Sequence, residues 1–192
     1  MEIKKENIVA AYKAADGSGK KMLAALFGEE ACKDVDNRPV TERIKSFQDA
    51  REALGEDHPF CKTWKALSDN DDAELAPDVE AYLKLRIIAA ALNEGWKPKF
   101  TEDEERYYPW FWLYTEDDLS NKDDEWMEEH ALMGTGIYET EYVGFAYLRS
   151  HLAPSGSYAN FASRLCFKNH DIATYCGKQF IGLLADYLLI RK

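Results

Sequence analysis

Three short runs of aromatic and β-branched residues dominate the apolar pattern of this chain, and turn-forming residues bound each of them. The runs cover residues 107–114 (YYPWFWLY), 142–149 (YVGFAYLR) and 163–168 (SRLCFK). Runs of this length and composition are typical of β-strands. The pattern therefore predicts three strands of one small antiparallel sheet.

Helical spacing of apolar residues appears on both sides of these runs. It predicts helices over residues 3–15, 20–27, 44–54, 77–94 and 170–188. The strongest of these begins with Pro77 in its first turn and ends before Gly95. Residues 58–76 carry turn signals, and we expect them to be irregular or weakly helical. Helices, then strands, then a helix indicate an α+β fold packed around the sheet rather than an alternating α/β fold.

Composition divides the chain into three parts. Residues 1–28 predict an N-terminal helical hairpin that turns at 16–19 (DGSG), and the polar residues 29–40 predict a linker. Residues 41–192 then form the α+β domain, with an acidic insertion at 115–141. A chain of 192 residues is long enough to bury a core without a metal ion or a disulfide.

The charge of the chain argues against two classes of partner. The formal net charge is −11, which opposes long-range attraction to nucleic acid and to anionic membranes. No run is apolar for long enough to span a membrane, and the amphipathic first fifteen residues do not resemble a signal peptide. We therefore expect a cytoplasmic protein with reduced cysteines and no membrane attachment.

The first predicted strand supplies most of the candidate binding residues. Alternation along a strand places its even-numbered side chains, all aromatic from 108 to 114, on one face. If Leu165 and Phe167 of the third predicted strand face the helices, two basic side chains of that strand stand beside this row. The candidate binding residues are Tyr108, Trp110, Trp112, Tyr114, Arg164 and Lys168.

Such a surface has more than one interpretation. Aromatic rings beside arginine and lysine stack and neutralise single-stranded nucleic acids. The same residue types recognise protein or sugar surfaces. The face can also be covered, by the N-terminal helices or by residues 116–137, because apolar sheet faces in helix-rich chains usually are. We expect the Trp110 and Trp112 face to be covered.

No catalytic, metal or cofactor site is predicted. The DGSGKK run at 16–21 has Ala14 and Lys21 where a phosphate-binding loop requires glycine and Ser or Thr. Cys166, His170 and Cys176 lack the short ligand spacing of a structural zinc site. The histidines lie outside nucleophile motifs, and carboxylates in charge runs indicate solvation rather than acid–base chemistry.

Three passages resemble a group of uncharacterised proteins carried by gut bacteria and their phages. They are TERIKSFQDAREALG at 41–55, ALNEGWKPKFTEDEERYYPWFWL at 91–113 and SRLCFKNHDIATYCGKQFIGLLADYLLI at 163–190. The AADGSGKKMLAALFG opening is similar to that group as well, and the order of the motifs matches. The resemblance implies a phage or mobile-element context and no particular reaction.

Three classes of function follow from these observations. We expect a non-catalytic binding or assembly protein of phage or mobile-element origin that engages a protein partner or associates with itself. The alternative is single-stranded nucleic-acid binding through the aromatic sheet face. An enzyme with an unrecognised site is the third and weakest hypothesis.

Overall fold

The structure is a computed structural model that describes residues 3–32, 38–70, 74–99, 101, 103–154 and 164–192. It confirms the predicted α+β class, because helices accompany a three-stranded antiparallel sheet. The chain forms two compact units, Met1–Arg38 and Pro39–Lys192.

The first unit consists of α1 (Lys5–Ala14), α2 (Gly17–Phe27) and α3 (Glu29–Cys32). The predicted turn at 16–19 is shorter in the structure, because Gly17–Gly19 already form the first turn of α2. The Asp16 carboxylate caps α2 by accepting a hydrogen bond of 2.8 Å from the Gly19 amide. The predicted linker at 29–40 contains α3, and its residues 33–37 lie outside the described part of the chain.

The second unit carries the sheet and the remaining helices of the described chain. Its helices are α4 (Val40–Arg43), α5 (Phe47–Leu54), α6 (Pro59–Ser68), α7 (Pro77–Leu92), α8 (Glu116–Ser120), α9 (Asp124–Glu129), α10 (His170–Gln179) and α11 (Ile181–Leu188). Its strands are β1 (Glu105–Tyr114), β2 (Met133–Gly134) and β3 (Gly144–Pro154).

Two local expectations about the helices are wrong. Residues 58–76, expected to be irregular or weakly helical, contain the regular helix α6, which has Pro59 at its start and buries Cys61 and Trp64. The final helix is divided at Phe180 into α10 and α11. Buried Phe180 therefore joins two helices with different packing partners. α10 packs against β1 and β3, and α11 packs mainly against α7.

The sheet has the order β1-β3-β2, so β3 is the central strand and β1 lies at an edge. β1 and β3 pair antiparallel from Glu105 opposite Pro154 to Tyr114 opposite Gly144. The register shifts by one residue after Trp110, which leaves Leu148 of β3 as the extra residue of a bulge.

The third predicted strand, residues 163–168, is not a strand in the described part of the chain. Its place in the sheet is taken by the two residues of β2, whereas Phe167 makes a single antiparallel bridge to Tyr107 on the other side of β1. The buried side chain of Asn93, at the end of α7, binds the backbone on both sides of that bridge. Its amide donates to the Cys166 carbonyl at 2.9 Å and accepts from the Lys168 amide at 3.0 Å. Because these backbone groups bond to a side chain, they are not available to a strand ladder.

The main core lies between one face of the sheet and helices α7, α10 and α11. Leu85, Ile88, Leu165, Phe167 and Cys176 are almost fully buried there. α10 crosses the sheet closely at Gly177. A Cβ atom at this position would lie 2.7 Å from the Pro109 Cβ and 2.7 Å from a ring carbon of Tyr147. Glycine is therefore required for this helix to reach the sheet.

The acidic segment after β1 folds into short helices whose carboxylates act as caps. Asp118 accepts bonds from the Thr115 amide and hydroxyl at 3.0 and 2.7 Å, and Asp123 caps α9. The Trp126 ring of α9 packs edge-on against Tyr114, with 5.3 Å between ring centroids. This segment therefore covers the Tyr114 end of the sheet's outer face, the face away from α7, α10 and α11.

No helix among the described residues combines the length and the apolar character that crossing a membrane requires.

Replacing Gly177 with alanine should destabilise the protein. The added methyl group overlaps Pro109 and Tyr147, so we expect a loss of about 1–3 kcal/mol in the free energy of unfolding, measured in urea. Gly182→Ala in α11 is the control, because its Cβ would meet nothing within 4 Å. We expect it to be neutral or to stabilise by up to about 1 kcal/mol. Equal losses in both variants would contradict this description of the α10–sheet contact.

Asn93→Ala should also be destabilising, by about 1–3 kcal/mol, because it leaves the Cys166 carbonyl and the Lys168 amide without their side-chain partner. Asn121→Ala, at an exposed residue after α8, is the control and should change the unfolding free energy by less than about 0.5 kcal/mol. Equal stability of Asn93→Ala and the wild type would show that Asn93 does not hold this segment.

Candidate functional site

The aromatic row of β1 is exposed at its centre and covered at one end. Trp110 is 41% exposed and Trp112 54% exposed, whereas Tyr114 is buried at 8%. The expectation that this face is covered is therefore wrong for both tryptophans. The reason is that the acidic segment extends only as far as Tyr114. Among the described ring contacts, Trp126 of this segment packs against Tyr114 and against neither Trp110 nor Trp112.

The exposed rings form a cluster with a side chain of β3. His151, opposite Tyr108 in the sheet, stacks on the Tyr108 ring at 5.6 Å between centroids with 20° between planes. The Trp110 ring lies 5.9 Å from the same histidine and 6.4 Å from Tyr108. These contacts fix the orientation of Trp110 although much of its surface faces solvent.

The two basic candidate residues do not join this cluster. The Lys168 ammonium lies 2.8 Å from the Glu94 carboxylate, and its hydrogen bond, together with one from Arg43, holds the pKa of Glu94 below its usual range. Lys168 follows the Phe167 bridge to Tyr107, so it lies beyond the end of β1 that is farther from Trp112. Arg164 is exposed. A basic residue that was not among the candidates, the exposed Arg149 of β3, lies opposite Trp110 in the sheet.

A groove of about 800 Å³ runs along the free edge of β1. We call its buried base the floor and its solvent-exposed border the mouth. The floor comes from α7, α10, α11, β3 and the segment before α10. The mouth comes from β1, α8 with its N-cap, α11 and the loop before β3. The floor residues are Leu85, Ala89, Phe145, Leu165, Phe167, Cys176 and Leu184. The exposed mouth residues are Trp110, Trp112, Thr115, Asp118, Tyr142 and Leu188.

The described lining of the groove is mostly apolar and contains one charged side chain. Among its described lining residues Asp118 is the one with a formal charge at neutral pH, and none of these residues is lysine, arginine or histidine. Hydrogen bonds from the Thr115 backbone and hydroxyl lower the pKa of Asp118, so this carboxylate is ionised at neutral pH. The groove therefore suits an apolar occupant with a cationic group at the Asp118 end.

The described lining residues do not assemble the chemistry needed for catalysis. The thiol of the groove, Cys176, is fully buried in the floor, and burial raises the pKa of that thiol. The other titratable groups of the lining are Asp118 and the phenols of Tyr108, Tyr142 and Tyr187. Neither an activated nucleophile nor a general base beside one is found among these residues.

Sequence reasoning identified the tryptophans and missed most of the groove. The floor residues have the spacing of ordinary core positions, so their sequence pattern does not distinguish them from the rest of the core. One signal was present for the edge itself. Pro109 lies inside the first strand, and proline within sheets is found at edge strands, at strand starts or at bulges because it cannot donate to a ladder.

Comparisons of the chain with models of known families, with curated proteins and with solved structures find no match.

The buried cysteines give a test of the packing around the groove. Burial raises the pKa of the Cys61 and Cys176 thiols and raises that of Cys166 to about 11. The thiolate is the reactive form, so at pH 8 we expect native Cys166 to react with an aromatic disulfide reagent at least roughly 100-fold more slowly than the unfolded chain. Per-residue labelling by mass spectrometry measures this rate. Rapid labelling of Cys176 in the folded protein would contradict a closed floor.

Proposed function

We propose that this protein is a non-catalytic binding protein that engages a protein partner through the groove beside β1. The observation that supports the proposal best is an apolar groove of about 800 Å³ with Trp110 and Trp112 exposed at its mouth. Tryptophan is enriched among the residues that dominate binding energies at protein interfaces. Exposed apolar surface of this kind in a folded protein is typical of an interaction site.

The size and shape of the groove fit a short protein segment. Concave sites of roughly 300–1,000 Å³ are the size that surrounds ligands of a few residues. The mouth combines rigid aromatic rings with the aliphatic side chain of Leu188, which is 51% exposed. A partner that covers these side chains removes from water the largest apolar groups at the mouth, which favours association.

The alternative, single-stranded nucleic-acid binding, has less support from the geometry. The exposed tryptophans could stack bases, but neutralisation of the phosphates needs lysine or arginine along the path of the strand. Arg149 lies opposite Trp110 and supplies one cation. The described lining of the groove itself contains the Asp118 carboxylate and no lysine or arginine, and Lys168 is paired with Glu94. A phage or mobile-element origin and a cytoplasmic location stay predictions from the sequence.

A displayed library of random peptides of about twelve residues, selected against the full chain, tests the proposal. We expect binders whose dissociation constant rises at least about 10-fold when Leu188→Glu places a charge at the mouth. Val79→Glu is the matched control, because Val79 is 41% exposed on a helix and does not line the groove. It should change the dissociation constant by less than about twofold.

Two results would contradict the proposal. One is the absence of enriched peptides, or enrichment of peptides that bind the Leu188→Glu and Val79→Glu variants equally well. The other is tight binding of a labelled oligothymidylate at low salt that is lost in the Leu188→Glu variant, which would support the nucleic-acid alternative instead.

A further inference from the structure

We propose that the segment bound in this groove is extended and adds to the sheet as a new strand along the free edge of β1. This inference rests on the proposed function, because it specifies the conformation and chemistry of the partner segment at the same site.

Alternate backbone groups of β1 point away from β3, towards the free edge. The Tyr107 amide and carbonyl both bond to Phe167, at 3.0 and 2.7 Å, on the side of β1 away from β3. Backbone groups alternate in direction along an antiparallel strand, so those of Phe111 and Leu113 point to the same side as those of Tyr107. The backbone of Tyr147, the residue opposite Phe111, agrees with this assignment of directions. Its amide points away from β1 and donates to the His130 carbonyl on the far side of β3.

The groups of β1 that point to the free edge between Pro109 and Leu113 have no partner in the described part of the chain. The amides of Phe111 and Leu113, and the carbonyls of Pro109, Phe111 and Leu113, make no hydrogen bond to another described segment on the free side. All three residues line the apolar groove. An occupant that covered them without replacing their bonds to water would incur the cost of unsatisfied polar groups. An extended peptide supplies donors and acceptors at the required alternation, whereas a helix or an aliphatic ligand does not.

The length of the free edge is set at both ends. At one end Tyr107 is already bonded to Phe167, and at the other the Thr115 amide donates to the Asp118 carboxylate. Pro109 to Leu113 lies between these limits and spans about 13 Å at the rise of a β-strand. The site therefore takes roughly five residues of an added strand.

The lining predicts the side chains of the added segment. Alternate residues would lie over the floor, near Leu184 and Phe167, and those residues should be apolar. The intervening residues would lie beside Trp110 and Trp112 on the outer face of the sheet. A lysine or arginine at the end near Asp118 would meet the one ionised side chain of the lining.

Charge disfavours a second copy of this chain as the occupant. Antiparallel pairing of two β1 strands around Phe111 would place Glu105 of each copy towards Asp117 and Asp118 of the other. These carboxylates are all exposed, and like charges facing each other across such an interface repel. A separate basic and apolar segment has the complementary charge.

The edge has only one of the usual protections against strand addition. Natural edge strands carry lysine, proline, inward-facing charges or bulges that prevent pairing with another chain, and here Pro109 is such a residue. Residues 107–114 contain no charged residue, and the bulge of this sheet lies on β3. Pro109 removes one donor and leaves the two amides that follow it at alternate positions.

Selective N-methylation of a selected peptide tests the inference. Peptides that bind the wild type and not the Leu188→Glu variant are made with N-methyl groups on either of the two alternating sets of residues. Strand addition predicts that one set raises the dissociation constant at least about 30-fold, because its amides face Pro109, Phe111 and Leu113, and that the other set changes it less than about threefold.

The outcomes separate this inference from the proposed function. Equal loss with both sets, or no loss with either, would overturn strand addition while leaving a peptide-binding groove. A complex with two copies of the chain and no bound peptide, seen by solution mass measurement, would overturn the choice of occupant. Failure to obtain any peptide sensitive to Leu188→Glu would instead contradict the proposed function itself.

A charge variant tests the chemistry of the segment. Asp118→Asn keeps an oxygen that can accept from Thr115 and removes the negative charge. For a peptide with lysine or arginine, its dissociation constant at low salt should rise about three- to tenfold. Asp124→Asn, at an exposed residue outside the groove, should have no such effect. Equal affinities for wild type and Asp118→Asn would contradict a cationic group at this end.

Discussion

The antiparallel pairing of β1 with β3 is the interaction on which the rest of the second unit depends. It fixes which side chains of β1 enter the core and which face outward, and it leaves β1 at the edge of the sheet. α10 approaches this pair closely because position 177 has no side chain. The helices therefore pack against one face of β1, and β3 pairs with one of its edges. The other edge of β1 borders the groove.

The groove exists because the helix layer extends beyond the edge of the sheet at β1. α7 and α11 contribute Leu85 and Leu184 to a floor beside β1, and the sheet does not extend over them in the described part of the chain. At the Tyr107 end the segment held by Asn93 closes the edge through Phe167. At the other end the Thr115–Asp118 cap does so. An apolar opening of defined length is left between these two closures.

Much of this fold was predictable because it depends on local patterns. Helical spacing of apolar residues predicted α7. Strand alternation predicted which side chains of β1 share a face, with Trp110 and Trp112 on the same one. The third strand was assigned wrongly because the competing interaction is not local. Asn93 binds the Cys166 carbonyl across 73 residues of sequence, and a pattern of apolar residues contains no information about that bond.

The candidate site was predictable in part for the same reason. Alternation shows that aromatic side chains share a face but not what covers them, and here the acidic segment reaches Tyr114 and stops. Lys168 was expected beside the tryptophans, but it forms an ion pair with Glu94, which is 74 residues away in sequence. The free edge had one local signal, Pro109, whose meaning depends on knowing which strand lies at the edge.

The most direct measurement is amide hydrogen exchange in the unbound protein, resolved residue by residue along β1. The account predicts slow exchange at Tyr107, which bonds to Phe167, and at Trp112, whose amide points towards β3. It predicts fast exchange at Phe111 and Leu113, whose amides point into the groove. Equal and strong protection of all four amides would contradict the account, because it would show that the edge of β1 is already paired.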